Sequence, residues 1–430
     1  MSGIDRRNFL KGAGIVGIAG LAGCTGGGGG DTTTTTESNG GGGTTTTSNG
    51  VQARTIKLGI LLPETGDLGQ LGQPMVNAGE LAVKMVNDAD IAIDVDSRTE
   101  DTQTQQSAGI SAANSLVNAG YPAVVGPASS GINIPVSKQV FIPNGVVGIS
   151  PSSTALSVTS LDDNDYIYRT APSDALQGKV LGQIATDNLG HSTASTMYVN
   201  NDYGQQLSSA FAGAFENSGG TVQKQVSFEK EQSSYTSRLQ QALGDDPDVL
   251  IVIGYPASGI QIFKDYYADY DANRDILITD GLKKNTLPNQ VGHDMTNVGG
   301  SSPLAAGPAV DVFTSAYKNE YESDPGVFTS QTFDAAAVTM LANAAAGENT
   351  GSAIRDQMRN VANPGGTKVS PENLGEGITM AAKGEEIQYV GASSSVDFDE
   401  NGDMTAVTYQ YFKFKEGGGV TTVDKINFGG

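Results

Sequence analysis

The chain reads as an α/β protein built from two doubly wound, Rossmann-like lobes, and three observations carry that reading. Strand-length apolar runs alternate with stretches of helical period along most of the chain. The alternation starts afresh after Tyr166-Ile-Tyr-Arg-Thr170. About 380 residues follow Gly50, more than a single core usually holds. Strands that alternate with helices of this length imply parallel sheets covered on both faces.

The first series opens on an apolar run over 55–62 that stops at Pro63. A helix over 74–87 follows, with Met75, Ala78, Ala82 and Met85 on one face. Next come a strand over 91–95 and a helix over 103–118 that ends at Gly120. A strand over 123–126, a helix over 132–140 and a strand over 146–149 complete the series. The second series predicts helices over 174–189, 203–217, 234–243 and 257–270, with strands over 193–199, 221–228, 248–254 and 276–279 between and after them. The last third predicts helices at about 308–322, 330–346 and 351–360, then antiparallel strands at about 394–398 and 404–414. Those helices are expected to complete one lobe and the hairpin the other.

Residues 1–24 have a basic start, an uncharged apolar run from Ala13 to Ala22 and a small-residue site, the pattern of an export signal. Arg6-Arg7 before Asn8-Phe9-Leu10-Lys11 resembles a twin-arginine signal. Leu21-Ala22-Gly23-Cys24 resembles a lipobox, so Cys24, the only cysteine, is expected to carry a lipid anchor on the outer face of the cell membrane. The Gly/Thr-rich stretch 25–52 has almost nothing to bury and reads as a disordered tether.

The formal charge is −22, and it becomes −24 once a leader holding Asp5 against Arg6, Arg7 and Lys11 is removed. Nucleic acid is therefore an unsuitable partner, because nothing here would neutralise phosphates. Self-repulsion of this size fits a halophilic source, where molar salt shortens the screening length to about 3 Å. Two histidines and one cysteine argue against histidine- or cysteine-based metal sites and redox chemistry, and no cofactor is expected.

Three local patterns suggest chemistry. Asp397-Phe-Asp-Glu-Asn-Gly402 matches the first half of a calcium loop, but Thr408 stands where a bidentate glutamate is needed, and Asn401-Gly402 reads as a hairpin turn. Asp162-Asp163 and Asp245-Asp246 could act as acid/base pairs, but their turn-like contexts read as solvated surface. Val-Val-Gly-Pro-Ala-Ser-Ser-Gly, 124–131, places Ser129 and Ser130 where a strand ends. A nucleophile elbow would need glycines on both sides of the serine and a histidine base, but neither serine is so flanked and neither His191 nor His293 has a recognisable acid partner in sequence. A helix cap remains, together with a cradle for a carboxylate at the carboxyl end of the sheet. Ser150-Pro-Ser-Ser-Thr154 repeats the arrangement after the next strand.

These stretches, with IKLGILLPETGDLGQLGQ (56–73), VVGISPSSTAL (146–156), YIYRTAPSD (166–174), NDYGQ (201–205), IVIGYPASG (251–259), TDG (279–281) and VDFDENGDM (396–404), occur in an order and spacing that resembles the leucine/isoleucine/valine-binding family of ABC-transporter solute receptors. The resemblance runs from Arg54 to the end. It implies the type I periplasmic-binding-protein fold, in which lobes joined by a hinge of crossover segments close on a small ligand and present it to a membrane permease. Residues 53–171 with 305–392 would form the first lobe, and 172–304 with 393–430 the second.

Carried over residue by residue, the resemblance implies that Ser130, Ser152 and Thr154 hold the ligand's carboxylate and amine. Tyr203 and Tyr255 would close from the second lobe, and Asp280 would pair with the ammonium. Leu71 stands where the family often has an aromatic, which reshapes the side-chain pocket, and aspartate at 280 is one methylene shorter than the usual glutamate. Each residue also has a plainer role: Ser152 and Thr154 as caps, the tyrosines as lobe-packing aromatics, Asp280 as a turn acid. The implied ligand is a branched-chain or other amino acid. Urea, short amides or another small organic acid are the alternatives within the fold, with a serine hydrolase or a surface adhesion protein outside it.

Overall fold

The computed structural model describes residues 50–429. The expected leader, Cys24 and all but the last three residues of the expected tether lie outside the described residues. Two sheets organise the rest. The first contains β1 (Arg54–Leu62), β2 (Ile93–Asp101), β3 (Ala123–Val125), β4 (Val147–Ser150) and β5 (Ile167–Arg169), all parallel, in the order β2-β1-β3-β4-β5. The second contains β6 (Thr193–Val199), β7 (Thr221–Phe228), β8 (Val249–Ile253), β9 (Asp275–Ile278) and β10 (Val298–Pro303). A small parallel pair, β11 (Thr367–Val369) and β12 (Ile387–Tyr389), stands apart, and the hairpin β13 (Val407–Phe414) and β14 (Val420–Phe428) extends the second sheet in antiparallel fashion from β10.

The second sheet runs β14-β13-β10-β9-β8-β6-β7, so its five parallel strands repeat the order of the first sheet. In both, the strand order reverses beside the strand that begins the series. Ligands bind outside the carboxyl ends of the strands at such a switch point. The loops that follow β1, β3, β6 and β8 therefore face the place where a site belongs.

Burial on both faces explains the apolar strands. Ile56, Leu58, Ile60 and Leu62 of β1 belong to the main core, while Leu61 packs with Val124 and Leu116 on the other side. The helix Gly69–Asn87 covers the first of these faces together with the helix Thr329–Ala346. The latter is buried almost all round, which is why it shows little amphipathic pattern. Asp334 in it accepts hydrogen bonds from Tyr389 Oη (2.8 Å), Ala392 N (2.9 Å), Ser393 N (2.7 Å) and Ser393 Oγ (2.5 Å). Burial pushes its carboxyl up to about 6 despite those donors.

Most predicted elements form close to their expected positions, and the departures have local causes. The helix expected from residue 74 starts at Gly69 and contains Pro74, because its first turn packs directly on the preceding loop: a Cβ on Gly72 would lie 1.7 Å from Pro63 O. The strand expected over 91–95 extends to Asp101 and pairs with β1 throughout, and its polar residues belong to an edge position. The hairpin expected around Asn401-Gly402 is reduced to a single bridge, Phe398 to Met404. The hairpin that does form is β13 and β14, turning at the glycines 417–419.

Residues 396–404 are instead held against the first sheet. Arg169, fully buried at the end of β5, donates from Nε to Asp403 Oδ1 and from Nη2 to Asp403 Oδ2, both at 2.6 Å. It also donates to Thr159 Oγ1 (2.7 Å) and to the carbonyls of Ala155 (2.9 Å) and Ser153 (3.3 Å). Asp399 uses its carboxylate on the backbone of Asn401 and Asp403, so the calcium-like stretch serves as a turn tied to the lobe.

Candidate functional site

The loop after β3 sets the first edge of the site. Gly126 adopts φ 113°, and a Cβ there would lie 2.0 Å from Leu61 O, so this strand end requires glycine. The chain then turns through Ala128 and Ser129 into the helix Ser130–Val136. Ser129 holds the cap position with extended backbone, yet its hydroxyl shares a 3.0 Å hydrogen bond with Tyr255 Oη of the opposite lobe. Ser130 is the first helical residue, and its Oγ accepts from Ser153 Oγ and from Ala155 N, each at 3.2 Å. Ser130 thus starts the helix, as expected, and its hydroxyl also ties two loops of the first lobe together.

The loop after β4 also differs from expectation. It leads to a short helix, Leu156–Thr159, whose cap position is Ala155, so Ser152 and Thr154 start no helix. Ser152 Oγ donates to Ala128 O at 3.1 Å. Thr154 Oγ1 is buried with no hydrogen-bond partner among the described residues.

The second lobe supplies the facing wall. Asn201 caps the helix Asp202–Asn217, accepting from Gly204 N at 3.0 Å, and its Nδ2 donates to Tyr255 Oη at 3.0 Å. Tyr203 stacks on Tyr255 with ring centroids 5.8 Å apart and 10° between planes. Tyr203 Oη bonds Thr279 Oγ1 at 2.6 Å. Asp280 follows β9, and burial raises its carboxyl to about 6, although Gln177 and Tyr203 lie close enough to hold it down in part. Its Oδ1 lacks a hydrogen-bond partner among the described residues. Asp174 lies behind it, and burial, followed by the Asp280 charge, pushes Asp174 well above the usual carboxylate range. Thr154 leans toward Asp174 without reaching hydrogen-bond geometry.

A cleft between the lobes is lined by Leu71, Ser130, Ser152, Tyr203, Tyr255 and Asp280, six of the seven sequence-predicted ligand residues. Thr154 stays behind that wall. As the lobes stand, the cleft encloses about 20 Å³, room for about one water. Entry of anything larger requires the lobes to part. The arrangement suits a zwitterion: hydroxyls and backbone groups from one lobe, a buried carboxylate from the other, and an apolar floor of Leu68, Met75 and Phe328. Both histidines are engaged elsewhere, His191 Nε2 with Asp275 at 2.9 Å and His293 stacked on Tyr267 at 4.5 Å.

Residues 55–373 match the family described as Periplasmic binding protein. The chain belongs to the periplasmic binding protein family. It is 25% identical over 354 residues to the chemotactic signal transduction system substrate-binding protein BasB of Halobacterium salinarum, covering 80% of this chain and 83% of that one. It is 27% identical over 369 residues to the Leu/Ile/Val-binding protein BraC3 of Rhizobium johnstonii, covering 84% and 92%. Among solved structures, the leucine binding protein LivK of Thermotoga maritima superposes with a TM-score of 0.73 at 22% identity, covering 86% of this chain and 98% of that one. This binding protein therefore has the two-lobed type I fold that its strand orders show. Among the described residues no helix is long and apolar enough to cross a membrane.

Several residues of this binding protein's cleft were not legible in advance. For Ser129 the sequence offers a nucleophile, a carboxylate cradle or a cap, and nothing in it points the hydroxyl across the cleft to Tyr255. Asn201 carried a signal in the cap preceding Asp202-Tyr203. Phe328 carried none, since it sits at φ 63° just before a helix.

Proposed function

We propose that this chain captures an α-amino acid between its lobes and delivers it to the permease of an ABC transporter. The observation that carries the reading is the convergence of Ser130, Ser152, Tyr203, Tyr255 and Asp280 on one interlobe cleft. Ser130, Ser152 and, behind them, Thr154 would receive the carboxylate and amine, with Asp280 pairing with the ammonium from the other side. The Leu/Ile/Val-binding relative supports an aliphatic amino acid as one ligand. Residues 53–171 with 305–392, and 172–304 with 393–430, would move as the two bodies. Ligand contacting both lobes binds the closed arrangement better and shifts the hinge equilibrium toward it. A lipid on Cys24 would hold the receptor at the outer face of the membrane.

The BasB relative supports a second use, in which the closed receptor reports to a signalling partner. A thermal-shift screen in molar salt tests the shared core of both readings. Amino acids should raise the melting temperature in a saturable way. A response only to urea, amides or other organic acids would retain the receptor and replace the ligand, and no response from any of these would overturn the reading.

A further inference from the structure

Leu71 and Phe328 line a second cavity as well as the cleft, and this one is far larger, about 340 Å³. Its wall carries two lysines, Lys283 and Lys284, which follow Asp280 at the end of β9. The single acid on that wall, Asp324, is largely exposed and pairs outward with Lys318 at 2.6 Å. In a chain of net charge −22, this chamber is locally cationic.

Lys283 is the unusual group. Among the described residues no carboxylate pairs with it and no hydrogen bond from its ammonium is found. Its ammonium lies over the Phe412 ring, 5.7 Å from the centroid. Burial brings its pKa down to about 8, so it remains mostly charged at neutral pH. Lys284 is engaged differently, donating across the lobes to Gln70 Oε1. The half-buried ammonium opens on the cavity without a counter-charge, and an arriving anion would form a charge-assisted bond with it.

We propose that this chamber receives the distal acidic group of the ligand, so that the receptor takes amino acids carrying a second carboxylate. The inference rests on the proposed amino-acid reading of the cleft. The α-amino and α-carboxyl groups would sit among Ser130, Ser152 and Asp280. The methylene spacer would pass between Leu71 and Phe328, and the far carboxylate would meet Lys283. Gln410 and Gln331 on the same wall offer no competing charge.

The test is titration calorimetry in molar salt with leucine, aspartate, glutamate and 2-aminoadipate, on the wild-type protein and on Lys283→Met and Lys283→Arg. At least one dicarboxylic amino acid should bind the wild type. Lys283→Met should weaken it about tenfold or more while leaving leucine within about twofold, and Lys283→Arg should retain most of the affinity. Unchanged leucine affinity, or an unchanged circular dichroism spectrum, shows that Lys283→Met is folded. Leucine binding without any acidic ligand, or acidic ligands indifferent to Lys283→Met, would overturn the chamber assignment and leave the amino-acid reading standing. No binding of any amino acid would overturn both.

Discussion

Ser258 in the second lobe donates to the carboxylate of Asp67 in the first lobe, from its backbone nitrogen at 2.7 Å and from its hydroxyl at 2.8 Å. Asp67 is buried and sits at the N-terminus of the helix Pro256–Asp269, where free N–H groups and the helix dipole favour an anion. Lys230 reaches Thr104 O across the same gap. The loop after β1 thus caps a helix in the other lobe, and the contact exists only while the lobes are together.

Asp67→Ala should therefore favour the open arrangement. Hydrogen bonds to a charged group are worth roughly 1.5–3 kcal/mol each, and about 1.4 kcal/mol is tenfold in affinity. Ligand affinity should fall about tenfold or more, and small-angle scattering should show a larger radius of gyration. Equal affinity and an unchanged radius would show that the bridge contributes nothing to closure.

The carboxyl of Asp280, raised by burial to about 6, sets a pH dependence with opposite signs for folding and binding. Below about pH 6 the folded protein holds a proton that the unfolded chain gives up at about 3.9. Its contribution to stability therefore falls as pH rises from about 4 to about 6, and then levels off. An ammonium ligand needs the ionised form, so affinity should rise through pH 6 and be about tenfold weaker at pH 5 than at pH 8. Asp280→Asn should lower affinity and flatten the pH profile. A steep profile that survives this change would point to another titrating group.

Arg169 and Asp403 offer a stability prediction. Removing one member of a buried, hydrogen-bonded ion pair costs roughly 3–5 kcal/mol, and Arg169 also serves Thr159 and two carbonyls. Arg169→Met should lower the unfolding free energy by that amount in denaturant titrations at fixed salt. Lysine should rescue little of it, since it lacks the two-pronged geometry. A loss under about 1 kcal/mol would contradict this.

Tyr255 joins Ser129 of one lobe to Asn201 of the other through a single hydroxyl. Tyr255→Phe keeps the stack on Tyr203 and removes both bonds. Leaving two partly buried polar groups without that partner costs about 1–3 kcal/mol, so affinity should fall roughly five- to 150-fold by calorimetry. The unliganded melting temperature should move little if the link operates only in closure, and a large drop would make Tyr255 a structural residue instead.

The strand ends were the most legible part of the sequence. Gly126 to Ser130, Ser150 to Thr154, Asn201 to Tyr203, Tyr255 and Asp280 all follow apolar runs, and a parallel sheet brings the ends of such runs to one edge. Their hydrogen bonds were not legible, because an uncharged hydroxyl has several equivalent partners within reach. Ser130 starts its helix as expected, but no local pattern shows that its hydroxyl receives Ser153 and Ala155. β10 carries no apolar strand pattern because its residues, Val-Gly-Gly-Ser-Ser-Pro, permit close approach to neighbours: a Cβ on Gly300 would lie 2.0 Å from Ile278 O.

By itself, then, the sequence determined the two alternating series, the parallel sheets they imply and the edge on which polar groups gather. Hydrophobic period and strand-end chemistry are local, so they can be read along the chain. Tertiary structure alone decided that Asp67 caps a helix of the other lobe, that Asp403 neutralises Arg169, and that Lys283 faces a chamber behind Leu71 and Phe328. Each of those pairings joins groups distant in sequence, and charge, burial and counter-charge acquire their energies only when folding sets the distances between them.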